Sequence, residues 1–72
     1  MIKNPLKKIY FIGIKGVGMA ALAIFAKEMG YQVSGSDIEE NFVTDAALKK
    51  ADIAVYNFDP QNLKDKPDLV VV

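Results

Sequence analysis

Ile9-Tyr10-Phe11-Ile12-Gly13-Ile14-Lys15-Gly16-Val17-Gly18-Met19 is the stretch on which the fold turns. Its first four residues are apolar and β-prone, without alternation, and they stop at Gly13. A strand buried on both faces of a parallel sheet has this pattern. From residue 17 to residue 29 Ala, Leu, Ile, Met and Phe dominate, with Lys27 and Glu28 arriving only at the end. These are strong helix formers, and Gly30 stands where a left-handed cap ends a helix. The nearly all-round apolar character predicts a helix covered on most sides. Three glycines therefore fall in the turn between a predicted strand and a predicted helix.

Working outward, Tyr31-Gln32-Val33-Ser34 reads as a second strand running to Gly35-Ser36-Asp37. Asn41 suits the cap of a second helix reaching about Lys50, with Thr44 in its first turn and Asp45 and Lys49 spaced for an i,i+4 pair. Ile53-Ala54-Val55-Tyr56 is a third strand, and Asp59-Pro60 opens a single helical turn. Asp68-Leu69-Val70-Val71-Val72 is a fourth strand. Alternating strands and helices make right-handed crossovers and a parallel sheet. The expected fold is α/β: a Rossmann-like three-layer βαβ unit with strand order 3-2-1-4. With no repeat, low-complexity tract or linker, residues 1–72 form a single, partial domain.

Composition narrows the function. The 72 residues include no Cys and no His, and nine basic side chains balance nine acidic ones. Disulfide scaffolds, thiolate zinc sites and thiol catalysis are excluded, and the commonest general base is missing. Zero net charge argues against a nucleic-acid partner bound through a basic face. A domain this short buries only about 60% of its unfolded surface, so it is marginal alone or part of something larger. Lys3, Lys7 and Lys8 ahead of the apolar residues 9–26, with Ala21-Leu22-Ala23 behind, imitate an export signal. Lys15 and the glycines at 13, 16 and 18 interrupt that run, which is also too broken for a membrane span. A cytoplasmic protein without a membrane partner is the expectation.

The glycine turn carries the chemistry. Glycines let the backbone bend sharply and approach a ligand, and the helix start offers free N–H groups and a positive dipole end. A pyrophosphate at the amides of Gly16, Val17 and Gly18 is expected. The spacing is G-x-x-G-x-G, with Lys15 where the dinucleotide fingerprint G-x-G-x-x-G has its second Gly. It is no P-loop either, because Met19 and Ala20 follow Gly18 where Lys and Ser/Thr are required. Asp37, about nineteen residues past Gly18, is placed to accept ribose hydroxyls, with Ser36 beside it. Competing readings are plain ones: glycines for close packing, Ser36-Asp37 as a local cap, Lys15 as a solvated lysine, Glu39-Glu40 as a solvated pair. Tyr10, Phe11 and Phe25 read as core or sheet-facing. Lys15 could also reach a pyrophosphate as a charge-assisted donor.

At these residues the sequence resembles the amino-terminal domain of the Mur ligases. Residues 9–19, with Gly30-Tyr31-Gln32-Val33-Ser34-Gly35-Ser36-Asp37, are similar to the family's G-x-G-G-x-G-M turn and its Ser-Gly-Ser-Asp after the second strand. The branch most resembled joins L-alanine to UDP-N-acetylmuramate or recycles murein tripeptide. Lys15 replaces a glycine of the family's run, and Asn57-Phe58 stands where the family often has Gly-His near the uridine. The resemblance implies a UDP-sugar site made by Gly13, Ile14, Lys15, Gly16, Val17, Gly18, Met19, Ser36, Asp37 and Asn57. It implies no catalytic residue and no metal ligand in these residues. ATP and Mg²⁺ would serve a central domain, and that domain and a C-terminal one would be absent here. The chain would then be the front of an ATP-dependent amide ligase of peptidoglycan synthesis. The alternative is an NAD(P)-binding Rossmann domain of an oxidoreductase or regulator of ion uptake. A fold-keeping domain without a ligand is the third reading.

Overall fold

A computed structural model describes residues 8–72, so Lys3 and Lys7 of the leader-like pattern lie outside the described residues. Four strands, β1 (Lys8–Ile12), β2 (Gln32–Ser36), β3 (Ala54–Tyr56) and β4 (Leu69–Val71), form one parallel sheet in the order β3-β2-β1-β4. Helix α1 (Val17–Glu28) joins β1 to β2, and α2 (Asp45–Lys50) joins β2 to β3. A 3-10 turn, Pro60–Leu63, lies in the connection from β3 to β4. The predicted topology is the observed one. Strand addition runs outward from β1 to β3 and then returns to the other side of β1. Right-handed crossovers therefore set α1 and α2 on one face and the 3-10 turn on the opposite face.

The central strand behaves as its apolar run predicts: Ile9, Tyr10 and Phe11 are all buried. Ile9 and Phe11 face the helices and pack with Ile14, Val33, Leu48 and Ile53. Phe11, Ile14 and Leu48 are the largest fully buried side chains, each contributing about 2 kcal/mol by burial. Helix α1 meets this layer through Ala20, Ala23 and Ala26, spaced three apart on one stripe. Small residues bring the helix axis close to the sheet. The rest of α1 corrects the sequence reading: Val17 is 72% exposed and Phe25 59%, so the helix is covered on one side only. A helix on the outside of a single sheet has one apolar surface beneath it, and its composition alone does not reveal this. Gly30 closes α1 at φ 102°, as a left-handed cap requires.

Two other local readings change. The second helix begins at Asp45 and not near Asn41, with Thr44 at the cap position. Asp45 turns away from Lys49 and bonds the Phe42 N–H at 3.0 Å. Asp59 does cap the 3-10 turn, its carboxylate accepting from the Gln61 N–H at 2.9 Å. Among the described residues no helix is long and apolar enough to cross a membrane.

Gly35 in β2 is the tightest point of the sheet. A Cβ there would fall onto the Phe11 carbonyl oxygen and within 2.9 Å of Ile14 Cβ. Ile14 thus occupies the space that a side chain on β2 would fill. Replacing Gly35 with Ala forces backbone or the fully buried Ile14 to move, and overpacking of this kind costs about 3 kcal/mol. Denaturant unfolding of the Gly35→Ala protein should show that loss, whereas Gly18→Ala, with open space at its Cβ, should be neutral or mildly stabilising.

Candidate functional site

The turn after β1 is built by backbone bonds to the neighbouring strand. The N–H groups of Gly13 and Ile14 both donate to the Ser36 carbonyl, at 2.9 and 3.1 Å. Gly13 adopts φ 82°, which a side chain would resist, and its carbonyl accepts from the Gly16 N–H at 3.2 Å. Gly16 is the cap residue of α1, and its carbonyl takes the first helical bond from Ala20 at 2.7 Å. The amides of Val17, Gly18 and Met19 follow. Being in the first turn, they have no carbonyl of their own helix to bond. Val17 and Gly18 are exposed, and an added Cβ at Gly18 meets nothing within 4 Å. The N–H end of a 12-residue helix is therefore open at the carboxyl edge of the sheet.

Asp37 joins this turn to the segment after β2. Its Oδ2 accepts from the Lys15 N–H at 2.8 Å and its Oδ1 from the Ile38 N–H at 2.7 Å. Its own N–H continues the sheet by donating to the Tyr56 carbonyl at 3.0 Å. Each carboxylate oxygen keeps a further acceptor position. Beside it opens a cleft of about 370 Å³, with Lys15, Asp37, Glu39, Asp45, Tyr56 and Asn57 as its polar lining and Ile38, Leu48, Ile53 and Val55 as apolar lining. Three residues expected at the site, Lys15, Asp37 and Asn57, come together there although up to 42 positions separate them.

The remaining expected residues sort by place. Gly13, Gly16, Val17, Gly18 and Met19 form the turn and helix start next to the cleft. Ile14 is fully buried and Ser36 is 2% exposed; neither lines the cleft, and both shape the turn from beneath. Asn57 is exposed, and its carbonyl accepts from Asn62 Nδ2 at 2.7 Å.

Lys15 is the main departure from the residue-level reading. Its side chain is only 12% exposed, and Nζ lies 3.4 Å from Asp45 Oδ1, donates to the Glu40 carbonyl at 2.7 Å and sits 5.5 Å from the Phe42 ring centre. The Thr44 hydroxyl donates to its carbonyl at 2.6 Å. Phe42, Thr44 and Asp45 were not foreseen as parts of this neighbourhood. Thr and Asp at a helix start satisfy local capping rules, and no local signal reveals a partner 29 positions earlier.

A glycine turn, an open helix start, and an acidic residue after the second strand, all at the carboxyl edge of a parallel sheet, define a Rossmann-like unit with a candidate ligand site. The comparison with known proteins is specific. The profile described as "Mur ligase family, catalytic domain" matches residues 8–72. The chain is 53% identical over 66 residues to the UDP-N-acetylmuramate–L-alanine ligase of Lactobacillus johnsonii, covering 92% of this chain and 15% of that protein. Against the enzyme of the same name from Lactobacillus helveticus it is 50% identical over 66 residues, with the same coverage. Against the one from Streptococcus mutans it is 43% identical over 68 residues, covering 94% of this chain and 15% of that protein. This chain belongs to the Mur ligase family. It spans about 15% of the length of these curated relatives.

Asp37 is the joint between turn and cleft, which makes its removal informative. Asp37→Ala leaves the Lys15 and Ile38 amides without their acceptor, and a loss of about 1–2 kcal/mol is expected. Amide exchange should quicken at Lys15 and Ile38 and stay slow in β1, where backbone pairing is untouched.

Proposed function

We propose that this chain is the UDP-sugar-binding part of an ATP-dependent amide ligase of the UDP-N-acetylmuramate–L-alanine type, acting in peptidoglycan synthesis in the cytoplasm. The observation that carries the reading is the joining of the open start of α1 to the Lys15–Asp37–Asn57 cleft through one carboxylate, Asp37. A nucleoside diphosphate has the same two-part chemistry: a doubly charged phosphate end and a polar, flat base end. The roughly 50% identity to ligases whose name contains that substrate supports the choice of UDP.

The Gly16 N–H, expected at the pyrophosphate, is taken by the Gly13 carbonyl, so in this reading the pyrophosphate meets the N–H groups of Val17, Gly18 and Met19, where helix-end amides and dipole favour negative charge. Gly13, Ile14, Gly16 and Ser36 hold the turn in shape. The free acceptor positions of Asp37 take ribose hydroxyls, and the base lies along the cleft towards Asn57. These residues bind and orient; they supply no reacting group. ATP and Mg²⁺, which such a ligase uses to activate the substrate's carboxylate for attack by the alanine amine, do not fit here. Met19 and Ala20 stand where a P-loop needs its phosphate-binding Lys and Ser/Thr. Both groups are assigned to sequence outside these 72 residues.

Isotope-labelled protein titrated separately with UDP-N-acetylmuramic acid, UDP and NADH tests the assignment. Saturable amide shifts at Val17, Gly18 and Asp37 with the two uridine compounds, and none with NADH, are expected. Saturation by NADH alone would replace this reading with that of a nicotinamide-binding domain. Gly18→Asp adds a negative charge in open space at the helix start and should keep the fold while lowering UDP affinity at least tenfold. Undiminished UDP affinity in the folded variant would remove the turn from the site.

A further inference from the structure

Lys15 is tied to its surroundings through both its side chain and its backbone. Its ammonium reaches Glu40, Phe42 and Asp45, and its backbone N–H and carbonyl bond Asp37 and Thr44, all in the irregular segment and helix start that follow β2. Residues 37–44 carry no helix or strand of their own, so their path depends on such ties. Asp45 is fixed in turn: Oδ2 accepts from the Phe42 N–H at 3.0 Å, while Oδ1 is buried and, among the described residues, has no hydrogen-bond donor. The Lys15 ammonium at 3.4 Å compensates that oxygen's charge. That ammonium is engaged on a carboxylate, a carbonyl and a ring face at once. Its contacts lie on residues 40–45, and Lys15 lines the cleft beside them.

Resting on the nucleotide-binding reading above, we propose that Lys15 is a positioning residue. It fastens residues 38–44 to the glycine turn through Asp45, and so builds the wall against which the nucleoside end of the ligand lies. It does not bind the phosphates. A glycine at this place in the turn could not make this tie; with Lys15 the wall is held from the turn itself.

The test compares Lys15→Met, Asp45→Asn and the double variant in the full-length protein, with UDP and uridine as separate probes. A wall held by the pair predicts that either single change weakens UDP and uridine alike, by about fivefold, and that the double change is no worse than one alone. If Lys15 contacts phosphate, Lys15→Met weakens UDP and spares uridine, and Asp45→Asn has no matching effect; that result overturns the proposal. Amide exchange without ligand supplies an independent arm. Faster exchange at residues 38–45, equal in both single variants and unchanged in β1, supports the tie, and unaltered exchange overturns it. Binding of neither probe by the unaltered protein would sink the nucleotide reading, and the exchange arm would still decide whether Lys15 holds the segment.

Discussion

The arrangement rests on Ile14 sitting where β2 has no side chain. Gly13 and Ile14 donate to one carbonyl, that of Ser36, and this draws the turn after β1 over the end of β2. The bonds can form at that distance only because Gly35 leaves room for Ile14. Ile14 then plugs the core against Phe11 and Leu48, so the turn is bonded at the backbone and anchored by a fully buried side chain. Buried apolar contact and backbone pairing act on adjacent atoms here, and neither would hold the turn as tightly alone.

From that anchor the functional edge follows in order. A fixed turn fixes the first residue of α1, and hence where its unbonded N–H groups point. The same turn presents the Lys15 amide to Asp37, and the Asp37 N–H pairs with the Tyr56 carbonyl on β3. Three strand ends are thereby tied together at the carboxyl edge of the sheet. Ligands of open α/β sheets bind at such an edge because helix dipoles and free backbone amides converge on it.

Much of this was legible from the residue order. The apolar run of β1, the Ala-rich α1 closed by Gly30 and the spacing of the later strands predict the sheet order, because crossover handedness leaves few alternatives. Gly13, Gly16, Gly18 and Asp37 announced themselves by position relative to strand and helix. The misreadings share one cause. Phe25 was expected inside and lies exposed, Asp45 was expected beside Lys49, and Lys15 was read as solvated. Periodicity and i,i+4 rules describe one element at a time, while exposure and ion pairing depend on which element lies across from it.

By itself, then, the sequence determined the order of elements, the parallel sheet, the glycine turn and the acidic residue after β2. These follow from local propensity, from apolar patterning and from the handedness of L-residue crossovers. Only the tertiary structure decided which side of α1 is covered, that Gly35 makes room for Ile14, and that Lys15 closes on Asp45 across thirty positions. Those are contacts between segments distant in the chain. Their energies depend on separations of a few ångströms that no local pattern encodes.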